Sequence, residues 1–390
     1  MKSNWPLVKL EEVADLTVGF VGTMAKHYTP NGVTFLRSTN IDPFDISLDD
    51  IKYISPEFNE KLSKSQLRTG DVVIVRTGKP GACAVIPNIS GAWNCSDLVI
   101  VRPHAKKLDP LFLAAYINVA SGTINNQLVG AVQQHFNVAS AKRLEIPLPS
   151  IDVQRKISSL IGILNDKINL NNKINDNLQE QAIAVFQQEL LRDRELPEGW
   201  TNGSLLDIAN YLNGLAMQKY RPSEGETGLP VLKIKELRQG SCDASSELCS
   251  PSIKPEYIIH DGDVVFSWSG SLLVDLWCGG TCGLNQHLFK VTSEKYPKWF
   301  YYAWTAHHLA RFVAIAADKA TTMGHIKREE LAKAEVAIPD AASMERIGGI
   351  LRPMYDLIIS NRIENRKLAA LRDTILPQLM SGELDVSDLT

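Results

Sequence analysis

IDVQRKISSLIGILNDKINLNNKINDNLQEQAIAVFQQELLR, residues 151–192, holds nothing that breaks a helix. It reads as one helix of about forty residues, roughly 60 Å long at 1.5 Å per residue. Pro149 precedes it, Asp152 is placed to serve as N-cap, and Pro197 and Gly199 stop it. Ile161, Leu164, Ile168, Leu178, Ala182 and Val185 fall on alternating steps of three and four, which is a heptad seam. Asn171 and Asn175 complete the seam at its middle.

The pattern returns 190 residues later as Leu351, Met354, Ile358, Asn361, Asn365, Leu368, Arg372 and Ile375. A surface helix packed on its own domain averages about a dozen residues and has no reason to carry matched asparagines mid-seam. The two helices are therefore expected to zip together as an intramolecular coiled coil. Duplicated units joined by a long helix relate most simply through a two-fold axis across the helix pair, which makes the pairing antiparallel. The register that brings the asparagines together pairs Asn171 with Asn365, Asn175 with Asn361, Ile168 with Leu368 and Leu178 with Ile358. A parallel pair is the competing arrangement.

Duplication extends beyond the helices. Trp5, Leu10, Val13 and Ala14 reappear as Trp200, Leu205, Ile208 and Ala209, and Val33–Arg37 parallels Leu229–Lys233. Gly70-Asp71-Val72-Val73 recurs as Gly262-Asp263-Val264-Val265, a turn feeding a buried strand. Leu144–Pro147 and Glu335–Pro339 each lead into a long helix. Strands are short, while residues 110–119 and 299–312 read as helices, so each copy is an α+β globule with a curved or partly closed sheet. The domains are 1–150, a first globule; 151–195, a first long helix; 196–340, a second globule; and 341–390, a second long helix with a tail. The plausible junction is Asp193 to Trp200.

With 390 residues the chain can bury more than one core, and its net charge of −3 confines any affinity for nucleic acid to local patches. The start of the chain is short, polar and interrupted by Pro6, and no apolar run approaches membrane-spanning length, so a cytoplasmic protein with no membrane partner is expected. Of the six cysteines, Cys278 and Cys282 are close enough to share a metal, but Cys242 and Cys249 are too far apart to complete the usual knuckle. Reduced, buried thiols and no metal are expected.

Enzymatic motifs are missing. There is no Gly-x4-Gly-Lys-Ser/Thr loop, no Asn-Pro-Pro-aromatic clamp and no Gly-x-Gly-x-x-Gly turn, so neither catalytic residues nor a cofactor are expected. Gly78–Gly81 and Gly279–Gly283 read as tight turns with no helix N-terminus behind them. Asp15, Asp71 and Asp263 form no defensible acid/base pair.

The order globule, long helix, globule, long helix, the paired Gly-Asp-Val-Val turns, Ile146-Pro147-Leu148-Pro149 with Gln154, and the closing run Leu376–Leu384 together resemble the specificity subunit of type I restriction-modification systems. The resemblance spans essentially the whole chain. The second half departs from the pattern, with Pro339-Asp340-Ala341 and Met344-Glu345 where Leu-Pro and Gln stand in the family. The implied fold is α+β: two pseudo-repeated β-rich target recognition domains separated by two long helices in an antiparallel intramolecular coiled coil. The implied role is non-catalytic. Each globule would read half of a bipartite site on double-stranded DNA, the coiled coil would set the spacing, and two DNA methyltransferase subunits would dock on the helices and their flanks. Motor-nuclease subunits would join that core.

Contact with DNA needs cations for phosphates and bidentate groups for base edges, carried on loops. The first globule offers Thr23, Lys26, His27 and Tyr28; Arg37 and Asn40; Arg76, Thr77 and Lys79; and Gln133, Gln134 and His135. The second offers Gln218, Lys219, Tyr220 and Arg221; Lys233 and Lys235; Ser267 and Trp268; Asn285, Gln286 and His287; and Thr322, His325 and Lys327. Trp268 is more often core than contact. The sets differ at equivalent places, which points to two different half-sites. A protein-binding coiled-coil scaffold or regulator without direct DNA readout is the alternative, separable by salt-dependent DNA binding of the assembled complex. An unrecognised enzyme would modify or cut DNA alone.

Overall fold

The computed structural model describes residues 5–128, 136–191, 195–318 and 326–386. The chain divides into two compact units, residues 1–167 with 368–390, and residues 168–367.

In the first unit an antiparallel four-stranded sheet runs in the order Cys83–Val85, Val72–Val75, Leu98–Pro103, Ala14–Val18. A second sheet of five strands centres on Val33–Leu36, paired in parallel with Trp93–Cys95. Where the sequence suggests a curved or partly closed sheet, the unit has two main sheets, with two-stranded pairs beside them. Strand alternation explains why: Val72 and Ile74 face one core with Phe112, Leu113, Ile157 and Ile161, whereas Val73 and Val75 face another with Leu36, Ile41 and Leu67. A strand buried on both faces reads as an unbroken apolar run, and that run conceals the second layer.

The second unit repeats this plan. Asn210–Asn213, Leu288–Thr292, Val264–Ser267 and Leu273–Leu276 form the first sheet, and Leu229–Leu232 pairs in parallel with Cys282–Leu284 in the second. Val264 and Phe266 point to the helices, and Val265 points to Leu232, Ile259 and Leu284. The expected helices form as Pro110–Leu128 and, broken at His308, as Lys298–His307 and Leu309–Asp318.

The duplicated turn is the same device twice. Gly70 and Gly262 have φ of 85° and 84°, which costs glycine little. Each following aspartate accepts a backbone N–H three residues back, Asp71 from Arg68 at 3.0 Å and Asp263 from His260 at 2.9 Å. Each also meets a cation, Arg102 at 3.4 Å and Lys290 at 2.9 Å. Burial nevertheless pushes the Asp71 carboxyl up. Asp71 and Asp263 are accordingly structural.

The long helices are Ile151–Leu190 and Ala341–Ser381. Asp152 is not the cap of the first. Ser150 is, accepting the Gln154 N–H on its carbonyl at 3.0 Å and the Val153 N–H on its hydroxyl at 3.4 Å. The second runs through Pro353 and Pro377, both exposed; Gly349, four residues before Pro353, sits on an open face of the helix.

Within the second unit the asparagine register is the one expected. Asn171 Nδ2 donates to Asn365 Oδ1 at 2.8 Å, and Asn361 Nδ2 donates to Asn175 Oδ1 at 2.9 Å. Arg346 meets Glu189 at 2.8 Å, so numbers on one helix rise as those on the other fall, and the pair is antiparallel. Leu178 packs against the cluster holding Leu351 and Ile358, with Met354 beside it. Within the first unit, Arg372 donates to Asn165 at 2.9 Å, again an antiparallel pairing, and Ile161 is buried in the core with Leu376 and Leu379. Leu164, Ile168 and Leu368 are half-buried.

Candidate nucleic-acid interface

Parallel pairing of Val33–Leu36 with Trp93–Cys95, and antiparallel pairing of Val72–Val75 with Leu98–Pro103, bring three strand ends together. The chain changes sheet at Ser96-Asp97, where Ser96 bridges Phe20 and Asp97 takes φ of 53°. Asparagine and aspartate tolerate that region better than other non-glycine residues. Asp97 there gathers the polar ends of its neighbours. Arg76 Nη1 donates to Oδ1 at 2.9 Å, Thr77 Oγ1 donates to Oδ2 at 2.7 Å, and Ser38 Oγ reaches the Asp97 carbonyl at 3.5 Å.

Arg37 turns the other way, donating to the Asp50 carbonyl at 2.6 Å and carboxylate at 3.1 Å. Lys52 and Arg37 together hold the Asp50 carboxyl below its usual range. Lys79 pairs with Asp42 at 2.6 Å. His27 is exposed and stacks on Phe58, centroids 4.1 Å apart, while Tyr28 lies half-buried in a short strand. Thr23 and Lys26 are exposed and have no side-chain partner among the described residues.

The second globule assembles the equivalent corner from other chemistry. Lys233, at the end of Leu229–Leu232, and Arg221 both pair with Glu247, the latter at 2.9 Å. The Lys233 hydrogen bond, more than Arg221, holds the Glu247 carboxyl below its usual range. Lys235 reaches Ser245 at 2.9 Å and Asp243 at 3.6 Å. Asn285 bridges Leu215 as Ser96 bridges Phe20, so Gln286 stands where Asp97 stands. Trp268 follows its strand as Arg76 does, and the carbonyls of these two accept from Ile326 and Phe136 respectively. Trp268 is half-buried, stacked on Phe289 at 5.7 Å, with Nε1 donating to Asn213 at 3.1 Å. Exposed His287 meets Ser269 Oγ at 3.1 Å. Gln218, Lys219, Tyr220 and Lys327 are exposed.

Three expected contacts are corrected. Asn40 is buried and spends its side chain on the Arg37 N–H and the carbonyls of Ser47 and Asp49. Ser267 is fully buried and donates to the carbonyls of Ser269 and Ser271, and Asn285 is buried and accepts from the His287 N–H. These side chains shape the loops from inside and present nothing outward. Gln133, Gln134, His135, Thr322 and His325 lie outside the described residues. Sequence reasoning missed the acids, Asp42, Asp50, Asp97 and Glu247. The signal for Asp97 was its place in the repeat, opposite Gln286 between two apolar strands.

Among the described residues, no group of three His, Cys, Asp or Glu side chains is placed to hold a metal ion. Cys278 donates to the Leu276 carbonyl at 3.5 Å, and burial pushes its thiol up to about 11. Cys242 packs against the cluster that holds Cys282. No helix among the described residues is long and apolar enough to cross a membrane.

A family model described as the type I restriction modification DNA specificity domain matches residues 2–180 and 197–371. The type I restriction enzyme MjaIX specificity subunit of Methanocaldococcus jannaschii is 23% identical over 416 residues, spanning 99% of this chain and 95% of that protein. The putative MjaX specificity subunit of the same organism is 21% identical over 427 residues, spanning 98% and 94%. The crystal structure of the type I restriction-modification system S subunit from M. genitalium shares the fold, with a TM-score of 0.54 at 13% identity over 97% of this chain and 96% of that one. The duplicated globules, the paired long helices and the match to both halves agree, and the chain belongs to the type I restriction-modification DNA specificity family.

Proposed function

We propose that the two globules of this non-catalytic DNA-specificity subunit each read one half of an asymmetric bipartite site on double-stranded DNA. The paired helices set the unread gap between the halves and, with their flanks, dock two DNA methyltransferase subunits. The assembly works in the cytoplasm. Methylation and cleavage belong to the partners.

One observation carries the reading: a framework whose four-stranded sheet and central parallel strand pair recur in both globules ends in different side chains at equivalent corners. Arg37 answers to Lys233, Arg76 to Trp268 and Asp97 to Gln286, and two different surfaces on one frame suit two different half-sequences. Pairing of most cations with acids, as in Arg37–Asp50, Lys79–Asp42 and Arg221–Glu247, leaves little free positive charge for phosphates. The isolated chain is accordingly a weak DNA binder, and its partners supply the clamp.

The test is methylome sequencing of a host that carries this chain with its methyltransferase partner. A single motif of two unlike half-sequences separated by a fixed gap is the expected result. A palindromic motif, or protein-dependent assembly without any sequence-specific methylation, overturns the reading.

A further inference from the structure

We propose that Arg76 reads a guanine in the half-site of the first globule and that Asp97 is the positioning residue that aims it. The inference rests on the half-site reading above and assigns it a residue and a base.

Arg76 emerges from Val72–Val75, a strand whose four residues are all buried, so its backbone is fixed. Its carbonyl is also tied, accepting from the Phe136 N–H at 3.3 Å. The side chain keeps 19% exposure, and one nitrogen, Nη1, is bound to Asp97 Oδ1 at 2.9 Å. Nε is buried without a partner, and Nη2 has no partner among the described residues. A guanidinium carries five N–H donors in a planar fork; with Nε buried, the donors left for an outside acceptor are those of Nη2 and the second N–H of Nη1.

Asp97 has both carboxylate oxygens engaged. Arg76 takes one carboxylate oxygen and Thr77 the other at 2.7 Å, and the backbone holds a left-handed conformation at φ 53°. A carboxylate held by its backbone turn with both oxygens engaged acts as a strut, and a strut that stops an arginine rotating lowers the entropy lost when its terminal Nη1–Nη2 edge meets an acceptor pair. The O6 and N7 acceptors of guanine in the major groove match that edge, and no other base offers two acceptors there.

The second globule has no such device, since its equivalent positions hold Trp268, Ser269 and Gln286. Guanine reading through this corner therefore belongs to one half-site.

The experiment uses the full chain assembled with its methyltransferase partner in a host, with the methylated motif determined for wild type, Arg76→Ala, Arg76→Lys and Asp97→Asn, and Tm measured for each complex. Preference for one G·C pair over the other pairs, about tenfold or more in wild type, is expected to fall to near unity in Arg76→Ala, with the other half-site unchanged. Arg76→Lys keeps the charge without the fork and is expected to lose the preference too, which covers a folding failure of the alanine variant. Asp97→Asn is expected to weaken discrimination at that same position only. A motif unchanged in every variant, with Tm alone lowered, shows a structural ion pair and overturns the proposal. So does a uniform loss across all sequences, the mark of a phosphate contact. A wild-type complex that methylates no bipartite motif refutes the half-site reading instead.

Discussion

Gln154 is fully buried, and each of its polar atoms is used. Its Oε1 accepts from the Asp109 N–H at 2.9 Å, and its Nε2 donates to the carbonyls of Lys107 at 3.0 Å and Pro149 at 2.9 Å. Ser158 adds a hydrogen bond to the Asp109 carboxylate at 2.5 Å, so the start of the first long helix is tied to the start of Pro110–Leu128. The counterpart of Gln154 is Met344, which packs against the second core with no amide to place. A polar tie in the first half thus stands where the second half has an apolar contact. Gln154→Ala removes the partner of one buried and two part-buried backbone groups and is expected to cost about 1–3 kcal/mol, read as a lower Tm. Both half-sequences are expected to stay as they were; a changed motif in that variant would give Gln154 a part in readout.

At the scale of elements, the asparagine pairs and the arginine clamps share the work of fixing the second long helix. The Asn175–Asn361 pair is buried in a mainly apolar seam, a choice that selects register at some cost in stability. Replacing both by leucine is expected to raise Tm while loosening register, seen as new oligomers in size-exclusion chromatography. Asn361→Ala alone strands the Asn175 carbonyl and is expected to cost about 1–3 kcal/mol. On the globule side, Arg366 grips Asp261 through two nitrogens at 2.7 Å each, and Arg362 meets Asp275 at 2.7 Å. The Arg366 hydrogen bond holds the Asp261 carboxyl below its ordinary range. Because the folded form has the lower pKa, the clamp's contribution is complete above the ordinary carboxylate pKa and disappears as pH falls through the depressed one. Denaturant titration is expected to find Asp261→Asn less stable than wild type near neutral pH, with the gap closing in strong acid. A gap that persists in acid would mean that the amide loses packing and not charge.

For the whole molecule, the proposed function makes spacing a property of the helices and identity a property of the corners. Adding one heptad to each long helix keeps the seam in phase and lengthens the pair by about 10 Å. The unread gap is expected to widen by roughly three base pairs, at 3.4 Å each, with both half-sequences intact. Methylation mapping checks this, and an altered half-sequence would contradict it.

The sequence alone determined the duplication, the two long helices, their antiparallel register and the paired Gly-Asp turns. Each of these rests on local periodicity, on one residue's backbone preference, or on a polar residue that must find its like in an apolar seam. Two things were decided only by tertiary structure. One is the division of each globule into two main sheets, hidden because strands buried on both faces lose the alternation that reveals a layer. The other is which polar side chains look outward: Asn40, Ser267 and Asn285 turn in to satisfy buried backbone groups, and Asp97, unremarkable in the chain, holds Arg76. A loop residue's direction depends on which strand ends converge on it from fifty residues away, and no local pattern encodes that meeting.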